Sequence, residues 1–161
     1  MYGRNHGVTF MIVFRTGITI STTTPFGNVG ANMTAEAEQY GSALDFDGEC
    51  YENIGSSERQ SLGSSTALGF ATNRTHLLCI AGDPTNGTHM YVNGTQVATW
   101  TYGGGYTNYP WAVGRTDGMG FSVNNWYFEG TIGEIRIYDH RLSNADLSTT
   151  HTELKTKWGI P

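Results

Sequence analysis

Charged residues are scarce in this sequence. Lys, Arg, Asp and Glu make up 14% of its 161 residues, against roughly 25% in an average globular protein. The Lys and Arg residues number 9 and form no cluster, and the net charge is -5. Because a phosphate backbone is bound through a basic surface, we expect no nucleic-acid partner.

Long apolar runs are also missing. The longest, Phe10 to Phe14 (FMIVF), is far too short to cross a bilayer and predicts a buried strand, so we expect no membrane insertion. The first residues show no basic segment followed by an apolar one, which a signal peptide requires. The chain is therefore expected to be a module of a larger protein, or to leave the cell by another route such as virion assembly.

Cysteine is nearly absent as well. Cys50 and Cys79 are far apart in the sequence, and one such pair does not indicate an oxidising compartment. A disulfide remains open, but we favour two small buried thiols.

What the sequence has in excess is glycine, with 22 residues, together with Thr, Ser, Asn and 12% aromatic residues. This composition favours short strands joined by tight turns. Many strands without intervening helices indicate an antiparallel β-sandwich or barrel. The predicted strands are Val8–Arg15, Ala43–Phe46, Ala67–Ala71, His76–Ala81, His89–Val92, Gln96–Thr101, Trp111–Gly114 and Thr131–Asp139.

Two local sequence patterns predict particular backbone features, a hairpin turn and a β-bulge. In MYVNGTQVA, Asn93 and Gly94 predict a two-residue type I′ hairpin, because both central positions of that turn need positive φ. In GTIGEIRIYDH, Ile135 and Ile137 share one face of a strand, whereas Ile132 has the wrong parity. We therefore expect a β-bulge near Gly133.

One helix is predicted, at the C-terminal end. Ser143 is the expected N-cap, with Asp146 placed to complete a capping box. Leu147, Leu154 and Trp158 form one apolar stripe, His151 lies between them, and Gly159 closes the helix. The stripe predicts a helix that packs on the sandwich and serves packing alone.

The second half of the chain resembles a known family. The segment THLLCIAGDPTNGTHMYVNGTQVATW, the later WAVGR and the final FEGTIGEIRIYDHRLSNADL are similar to laminin G-like, concanavalin A-like jelly-roll domains, which carry a YVNG or YVDG hairpin and a penultimate strand before a short helix. The resemblance covers about residues 75–160. It implies an all-β fold, an antiparallel two-sheet β-sandwich of the concanavalin A-like jelly-roll type with one short C-terminal helix, formed by residues 1–161 as a single domain.

The N-terminal half departs from the family pattern. The usual opening strand ahead of TFMIVF is missing. Either the strand register is unusual, or a neighbouring chain or domain completes the sheet. Because proteins normally cover an open sheet edge, the second alternative favours a homo-oligomer or a larger assembly.

An acidic triplet raises the possibility of catalysis. In LDFDGE, Asp45, Asp47 and Glu49 would share one face of a strand, and glycosidases use paired carboxylates. Related glucanases of the same superfamily carry a similarly spaced triplet, but the flanking pattern differs and Gly48 interrupts the strand. We therefore predict no catalytic residues. A solvated strand end or turn is the favoured interpretation of the triplet, with a calcium site and a glycoside hydrolase as alternatives.

Calcium is the metal that the acidic loops would suit. It binds six to eight oxygen ligands, commonly carboxylates on loops, and the resemblance implies calcium at a sandwich rim. Asp83 and Asp117 are the predicted ligands, although Asp83 in the DPTNG segment is also a typical turn residue. The five histidines show no metal-binding spacing.

Aromatic loops indicate carbohydrate binding. The loop WTYGGGYTNYPW presents Tyr102, Tyr106 and Tyr109 around three glycines, and aromatic faces with polar edges suit sugar rings. A second cluster follows RTDGMG in SVNNWYFEG. The predicted carbohydrate-binding residues are Tyr102, Tyr106, Tyr109, Asp117, Asn124, Asn125 and Trp126.

The sequence therefore predicts a non-catalytic, lectin-like module at a virion or cell surface, such as a phage tail-fibre or capsid-decoration domain. Its expected partners are a cell-surface glycan and other chains of the same assembly. A structural assembly module without a ligand is the main alternative.

Overall fold

A computed structural model of the chain describes residues 7–17, 26–28, 45–46, 50–54, 58–63, 67–100, 111–113, 115–116, 126–128 and 130–161. They form, in chain order, β1 (Val8–Thr16), β2 (Phe26–Asn28), β3 (Asp45–Phe46), β4 (Cys50–Ile54), β5 (Glu58–Gly63), β6 (Thr75–Asp83), β7 (Gly87–Val92), β8 (Thr95–Trp100), β9 (Trp111–Val113), β10 (Arg115–Thr116), β11 (Trp126–Tyr127), β12 (Gly130–Tyr138) and α1 (Asn144–Trp158).

Five strands form one antiparallel sheet in the order β12, β1, β6, β7, β8. The first strand pairs with the last on one side and with β6 on the other. β7 and β8 form the predicted hairpin, in which Asn93 and Gly94 have φ of 52° and 84°. The predicted antiparallel β fold with one C-terminal helix is thereby confirmed.

Both faces of this sheet are covered at β1 and β6, which explains their unbroken apolar sequences. On what we call the inner face, Phe10, Ile12 and Phe14 join a buried apolar cluster. On the opposite, outer face, Met11 and Val13 pack in a second cluster that includes buried side chains of α1. The sheet therefore separates two cores, and α1 covers the outer one.

The other strands form three smaller antiparallel ladders, β2 with β9, β10 with β11, and β3 with β4 and β5. In the β3–β4 ladder, Phe46 lies opposite Cys50. Of the acidic triplet, the structure describes the backbone of Asp45 at the start of β3, so the shared strand face of the three acids stays a prediction. Asp47 and Glu49 lie outside the described residues.

The strand predicted at Ala67–Ala71 is instead a turn followed by irregular chain. Gly69 has a φ of 88°, in the left-handed region. The backbone of Ala71 bonds to side chains and not to a ladder: its N–H donates to His76 Nε2 at 3.1 Å, and its carbonyl accepts from Thr16 Oγ1 at 2.7 Å. The apolar pattern there reflects burial of turn residues in the inner core.

The β-bulge predicted near Gly133 is confirmed. Val13 lies opposite Glu134, but the next residue, Phe14, lies opposite Ile132, so Gly133 is the extra residue of β12. Because the bulge adds one residue to β12, Ile132 lies on the same face of the sheet as Ile135 and Ile137.

Ile135 and Ile137 lie opposite Ile12 and Phe10 and therefore share the inner face, as predicted. They are nevertheless 38% and 43% exposed. β12 is an edge strand of the described sheet, and this position leaves both side chains partly uncovered.

α1 begins and ends at the predicted caps. Ser143 Oγ accepts a hydrogen bond from the N–H of Asp146 at 3.1 Å and donates to its carboxylate at 2.6 Å. Gly159 is left-handed with φ of 62°, the usual end of a helix. Leu147 and Leu154 are buried against the sheet.

Polar contacts also join α1 to β12. Glu134 accepts hydrogen bonds from Lys157 Nζ at 2.9 Å, Trp158 Nε1 at 2.9 Å and Arg136 Nε at 2.8 Å. Arg136 also pairs with Glu153 at 2.7 Å. The hydrogen bonds from Lys157 and Trp158 lower the pKa of Glu134 to about 2, against the opposing effect of burial.

Cys79 is a free, buried thiol on β6, so it does not pair with Cys50. Burial raises its pKa above the usual value. Within the described part of the chain, no helix has the length and apolar character needed to cross a bilayer.

Candidate functional site

A groove of about 430 Å³ runs along the outer face between the β7–β8 hairpin and α1. We call it the helix groove. Its described lining residues come from the hairpin, from α1 and from the connection before α1, and they are His89, Tyr91, Asn93, Gly94, Thr95, Gln96, Arg141, Asn144, Leu147, Ser148, His151, Thr152 and Lys155.

Strand alternation places the aromatic groups of the hairpin in the groove. In β7, Thr88, Met90 and Val92 are buried, whereas His89 and Tyr91 are half-buried and point to the other face. The rings of His89 and Tyr91 are stacked, with centroids 6.4 Å apart. The hairpin thus gives the groove an aromatic wall.

Helical periodicity builds the opposite wall. Asn144, Ser148, His151 and Lys155 recur every three or four residues of α1 and therefore lie on one side of the helix. Gly94 at the hairpin tip faces the end of this row, because a Cβ there would lie 3.7 Å from both His151 Cβ and Lys155 Cδ. The hairpin tip therefore closes against the last turns of α1.

Asn93 fixes the hairpin against the sheet. Its side-chain oxygen accepts from the N–H of Leu77 at 2.9 Å, and its own N–H donates to the carbonyl of Leu77 at 2.8 Å. These two hydrogen bonds to Leu77 anchor the hairpin turn, which an Asn-Gly sequence favours, and so hold this end of the groove wall against β6.

His151 connects the two walls. Its ring centroid lies 5.3 Å from that of Tyr91. Burial, with a further contribution from Lys155, lowers the pKa of His151, so the ring is neutral near pH 7. Its Nε2 is buried and has no hydrogen-bond partner among the described residues. Burial likewise raises the pKa of Tyr91.

Arg141 closes the end of the groove near the start of α1. Its guanidinium donates to Asn144 Oδ1 at 3.1 Å and to the carbonyl of Leu142 at 3.3 Å. Its Nε is 3.9 Å from a carboxylate oxygen of Asp83. Arg141 is thus positioned by several contacts and holds a fixed positive charge beside the groove.

The described lining of the helix groove is polar and lacks carboxylates. Its amides, hydroxyls and imidazoles can donate and accept hydrogen bonds, but none of these residues is Asp or Glu. Hydrolysis of a glycosidic bond ordinarily uses two carboxyl groups. Nor do the described residues hold any cluster of three or more His, Cys, Asp or Glu side chains that would bind a metal. The groove therefore offers a ligand neutral hydrogen-bond donors and acceptors.

Of the two predicted calcium ligands, the structure describes Asp83. Its carboxylate accepts from the N–H groups of Thr85 and Asn86 and from Asn86 Nδ2, at 2.7–2.9 Å. Burial alone would raise the pKa of Asp83, but these hydrogen bonds outweigh it and lower the pKa. Asp83 therefore acts as a turn former in the structure, and Asp117 lies outside the described residues.

The predicted sugar-binding residues Tyr102, Tyr106, Tyr109, Asn124 and Asn125 lie outside the described residues. The backbone at Trp126 starts β11, opposite Thr116 of β10. These assignments stay predictions.

Sequence reasoning missed the helix groove. His151 was assigned to packing, and His89 and Arg141 were assigned no role. The available signal was the alternation of His89 and Tyr91 against buried residues in β7, together with a polar row on α1. Neither pattern shows from sequence that the hairpin and α1 lie side by side.

The comparisons with known proteins agree with the fold. The family model Laminin_G_3, described as the concanavalin A-like lectin/glucanases superfamily, matches residues 16–148. No curated protein sequence matches this chain closely enough to count as a relative.

Solved structures with low sequence identity share the fold. The CBM40 module of Ruminococcus gnavus IT-sialidase, bound to α2,3-sialyllactose, has a TM-score of 0.68 at 13% identity, over 92% of this chain and 84% of that one. The heptameric SAP-like pentraxin of Limulus polyphemus has a TM-score of 0.65 at 15% identity, over 91% of this chain and 70% of the pentraxin. NanB sialidase of Streptococcus pneumoniae has 0.65 at 18% identity, but the match covers 90% of this chain and only 24% of the sialidase.

Proposed function

The chain belongs to the concanavalin A-like lectin/glucanase superfamily, and from that premise we propose that it is a non-catalytic carbohydrate-recognition module. The similar CBM40 structure was solved with a bound sialylated sugar, which supports this choice of ligand class. Because fold alone does not fix function, the proposal also needs a site with suitable chemistry.

The helix groove is the observation that carries the proposal. It combines the ring of Tyr91 with amide and hydroxyl groups from both walls. A sugar ring has apolar C–H faces and a rim of hydroxyls, so an aromatic surface beside neutral hydrogen-bonding groups suits it. The absence of Asp and Glu from the described lining favours recognition over hydrolysis.

The loops of Tyr102, Tyr106 and Tyr109 and of Asn124, Asn125 and Trp126 are the second candidate surface. We keep the proposal that these loops contact glycan, with calcium held near Asp83 and Asp117. For Asp83, the ion would have to displace the hydrogen bonds from Asn86, so calcium binding would reorganise that turn.

A glycan array probed with the purified chain, with calcium and again with EDTA, tests the function. We expect retention of a defined set of glycans. Loss of retention by Tyr91→Ala assigns binding to the helix groove, and loss by Tyr106→Ala assigns it to the loops. Retention abolished by EDTA supports the calcium proposal. An array without any retained glycan contradicts carbohydrate recognition, and cleaved glycans would indicate the hydrolase alternative.

We further propose that the module acts outside the cytoplasm, at a virion or cell surface. Glycans presented to binding modules are concentrated on such surfaces, and the low charge and polar, Gly-rich composition are compatible with them. The virion setting is supported by the sequence, in which the missing opening strand predicts a neighbouring chain of the same assembly.

A structural role in an assembly is the second candidate function, and one observation favours it. β12 is nine residues long, is an edge of the described sheet, and carries the exposed pair Ile135 and Ile137. Long edge strands with exposed apolar side chains pair readily with another strand. We propose that a strand from a neighbouring chain or domain adds to this edge.

Replacing both isoleucines by threonine tests the edge proposal. Threonine retains β propensity but removes apolar surface, so Ile135→Thr with Ile137→Thr should reduce self-association in sedimentation velocity and leave the fold intact. Thr131→Val, an exposed site on the same strand, is the control. If the wild-type chain sediments as a monomer at all concentrations, pairing between copies through this edge is excluded.

A further inference from the structure

The charge of the helix groove is unusual for this chain. The protein has a net charge of -5, yet the permanently charged side chains in the described lining are two cations, Arg141 and Lys155. The Asp83 carboxylate lies 3.9 Å from Arg141 Nε and offsets part of that charge. Lys155 has no described hydrogen-bond or ion-pair partner. The groove is therefore locally positive.

Buried donors in the groove wall are also incompletely satisfied. Arg141 Nε is buried without a hydrogen-bond partner among the described residues, and so is Nε2 of His151, a side chain 6% exposed. Most buried polar atoms in proteins have a partner, so these two atoms are left to be satisfied by water or by a ligand that reorders the groove wall. Both residues lie on the groove, between the hairpin and α1.

The two cations are widely separated. Arg141 contacts Asn144 at the start of α1, while Lys155 lies three turns later. At about 1.5 Å of rise per helical residue, Asn144 and Lys155 are roughly 16 Å apart along the axis. That span exceeds a single sugar ring and suits a short oligosaccharide.

We propose that the helix groove selects an anionic oligosaccharide, one that carries a carboxylate or sulfate group, and that Lys155 and Arg141 are its cationic partners. The inference rests on the proposed carbohydrate-binding function and adds the charge of the ligand. Lys155 supplies the accessible charge, because its ammonium is free to reorient toward an anion. Arg141, which is held by its own hydrogen bonds, supplies a positive charge at the other end of the groove. Tyr91 and His151 would lie beneath the ligand, between the two cations.

The test compares matched glycans and matched lysines. The array carries acidic glycans beside neutral counterparts in which each carboxylate is a methyl ester and each sulfate is removed. Affinities of the retained pairs are then measured for the wild-type chain, Lys155→Gln and Lys157→Gln. Lys157 lies on the same helix but contacts Glu134 outside the groove, so it controls for loss of one surface charge.

We expect acidic members to bind at least about tenfold more tightly than their counterparts, since a hydrogen bond to a charged group is stronger than a neutral one. Lys155→Gln should remove most of that difference, and Lys157→Gln should not. Amide shifts of Tyr91 and Gly94 in NMR spectra would place the ligand in the groove. The proposal is overturned if neutral and acidic glycans bind equally, or if the two lysine variants behave alike. Both of those results leave carbohydrate binding standing, whereas a blank array removes the function itself.

Discussion

Thr9 is a fully buried hydroxyl on β1 that secures the connection between β12 and α1. Its Oγ1 donates to the carbonyl of His140 at 3.1 Å and accepts from the N–H of Leu142 at 2.8 Å. Those two groups lie just before the cap of α1, so one side chain fixes where the helix enters the outer face. Leu142 then packs in the outer core.

Replacing Thr9 by valine should destabilise the fold. The shape is nearly kept, but a buried N–H and a carbonyl lose their partner, which costs about 1–3 kcal/mol of unfolding free energy. Urea denaturation measures this change. Thr131→Val, an exposed threonine on β12, should change the free energy by less than about 0.5 kcal/mol. Equal effects at the two positions would show that the buried hydroxyl is unimportant.

At the scale of elements, α1 depends on its N-cap as well as on packing. Ser143 caps the first turn, and Asp146 adds an acidic side chain at the positive end of the helix. Leu147 and Leu154 supply the apolar contacts on the outer face. The cap therefore determines where the polar row of the helix groove begins.

Ser143→Ala should lower the unfolding free energy by about 1 kcal/mol, because a helix donor loses its acceptor. Ser148→Ala is the matched control in the same helix, where alanine is the better helix former. Thermal or urea unfolding followed by circular dichroism gives both values. A cap variant as stable as Ser148→Ala would mean that tertiary packing alone fixes the helix start.

At the scale of the whole molecule, buried titratable groups predict sensitivity to acid. His76 packs between Phe14 and Phe70 in the inner core, and His151 is buried on the outer face, in the wall of the helix groove. Burial lowers the pKa of both imidazoles, and Arg74 and Lys155 respectively lower it further. Each face of the sheet therefore has a buried histidine whose pKa is lower in the folded than in the unfolded chain.

Stability should fall as pH decreases. The unfolded histidines protonate near pH 6.5 while the folded ones remain neutral, so the unfolded state takes up more protons below that pH. The loss is at most about 1.4 kcal/mol per pH unit for each histidine. Glu134 affects stability at a lower pH. Its folded pKa of about 2 is below the ordinary value of 4.5, so its contribution to the unfolding free energy is lost from about pH 4.5 downward.

Urea denaturation from pH 8 to pH 4 measures this dependence. His151→Gln should flatten the decline just below pH 6.5, with the exposed His140→Gln as control. Stability that is constant between pH 7 and pH 5 would contradict the lowered pKa values.

The sequence by itself determined the local geometry of several elements. Asn93-Gly94 specified the hairpin because few other residues tolerate positive φ at both positions. The parity of Ile132 against Ile135 specified the bulge, and Ser143 with Gly159 specified the ends of α1. Each of these depends on backbone preferences within a few residues. The family resemblance then assigned these elements to a concanavalin A-like fold.

Only the tertiary structure decided the features that depend on burial and on contacts between distant segments of the chain. The segment predicted as a strand around Leu68 and Phe70 is a turn followed by irregular chain, with both side chains buried in the inner core. The helix groove brings together His89, Arg141 and Lys155 from separate segments. Their juxtaposition follows from how α1 packs on the sheet, and periodicity within one segment carries no information about its neighbours in space.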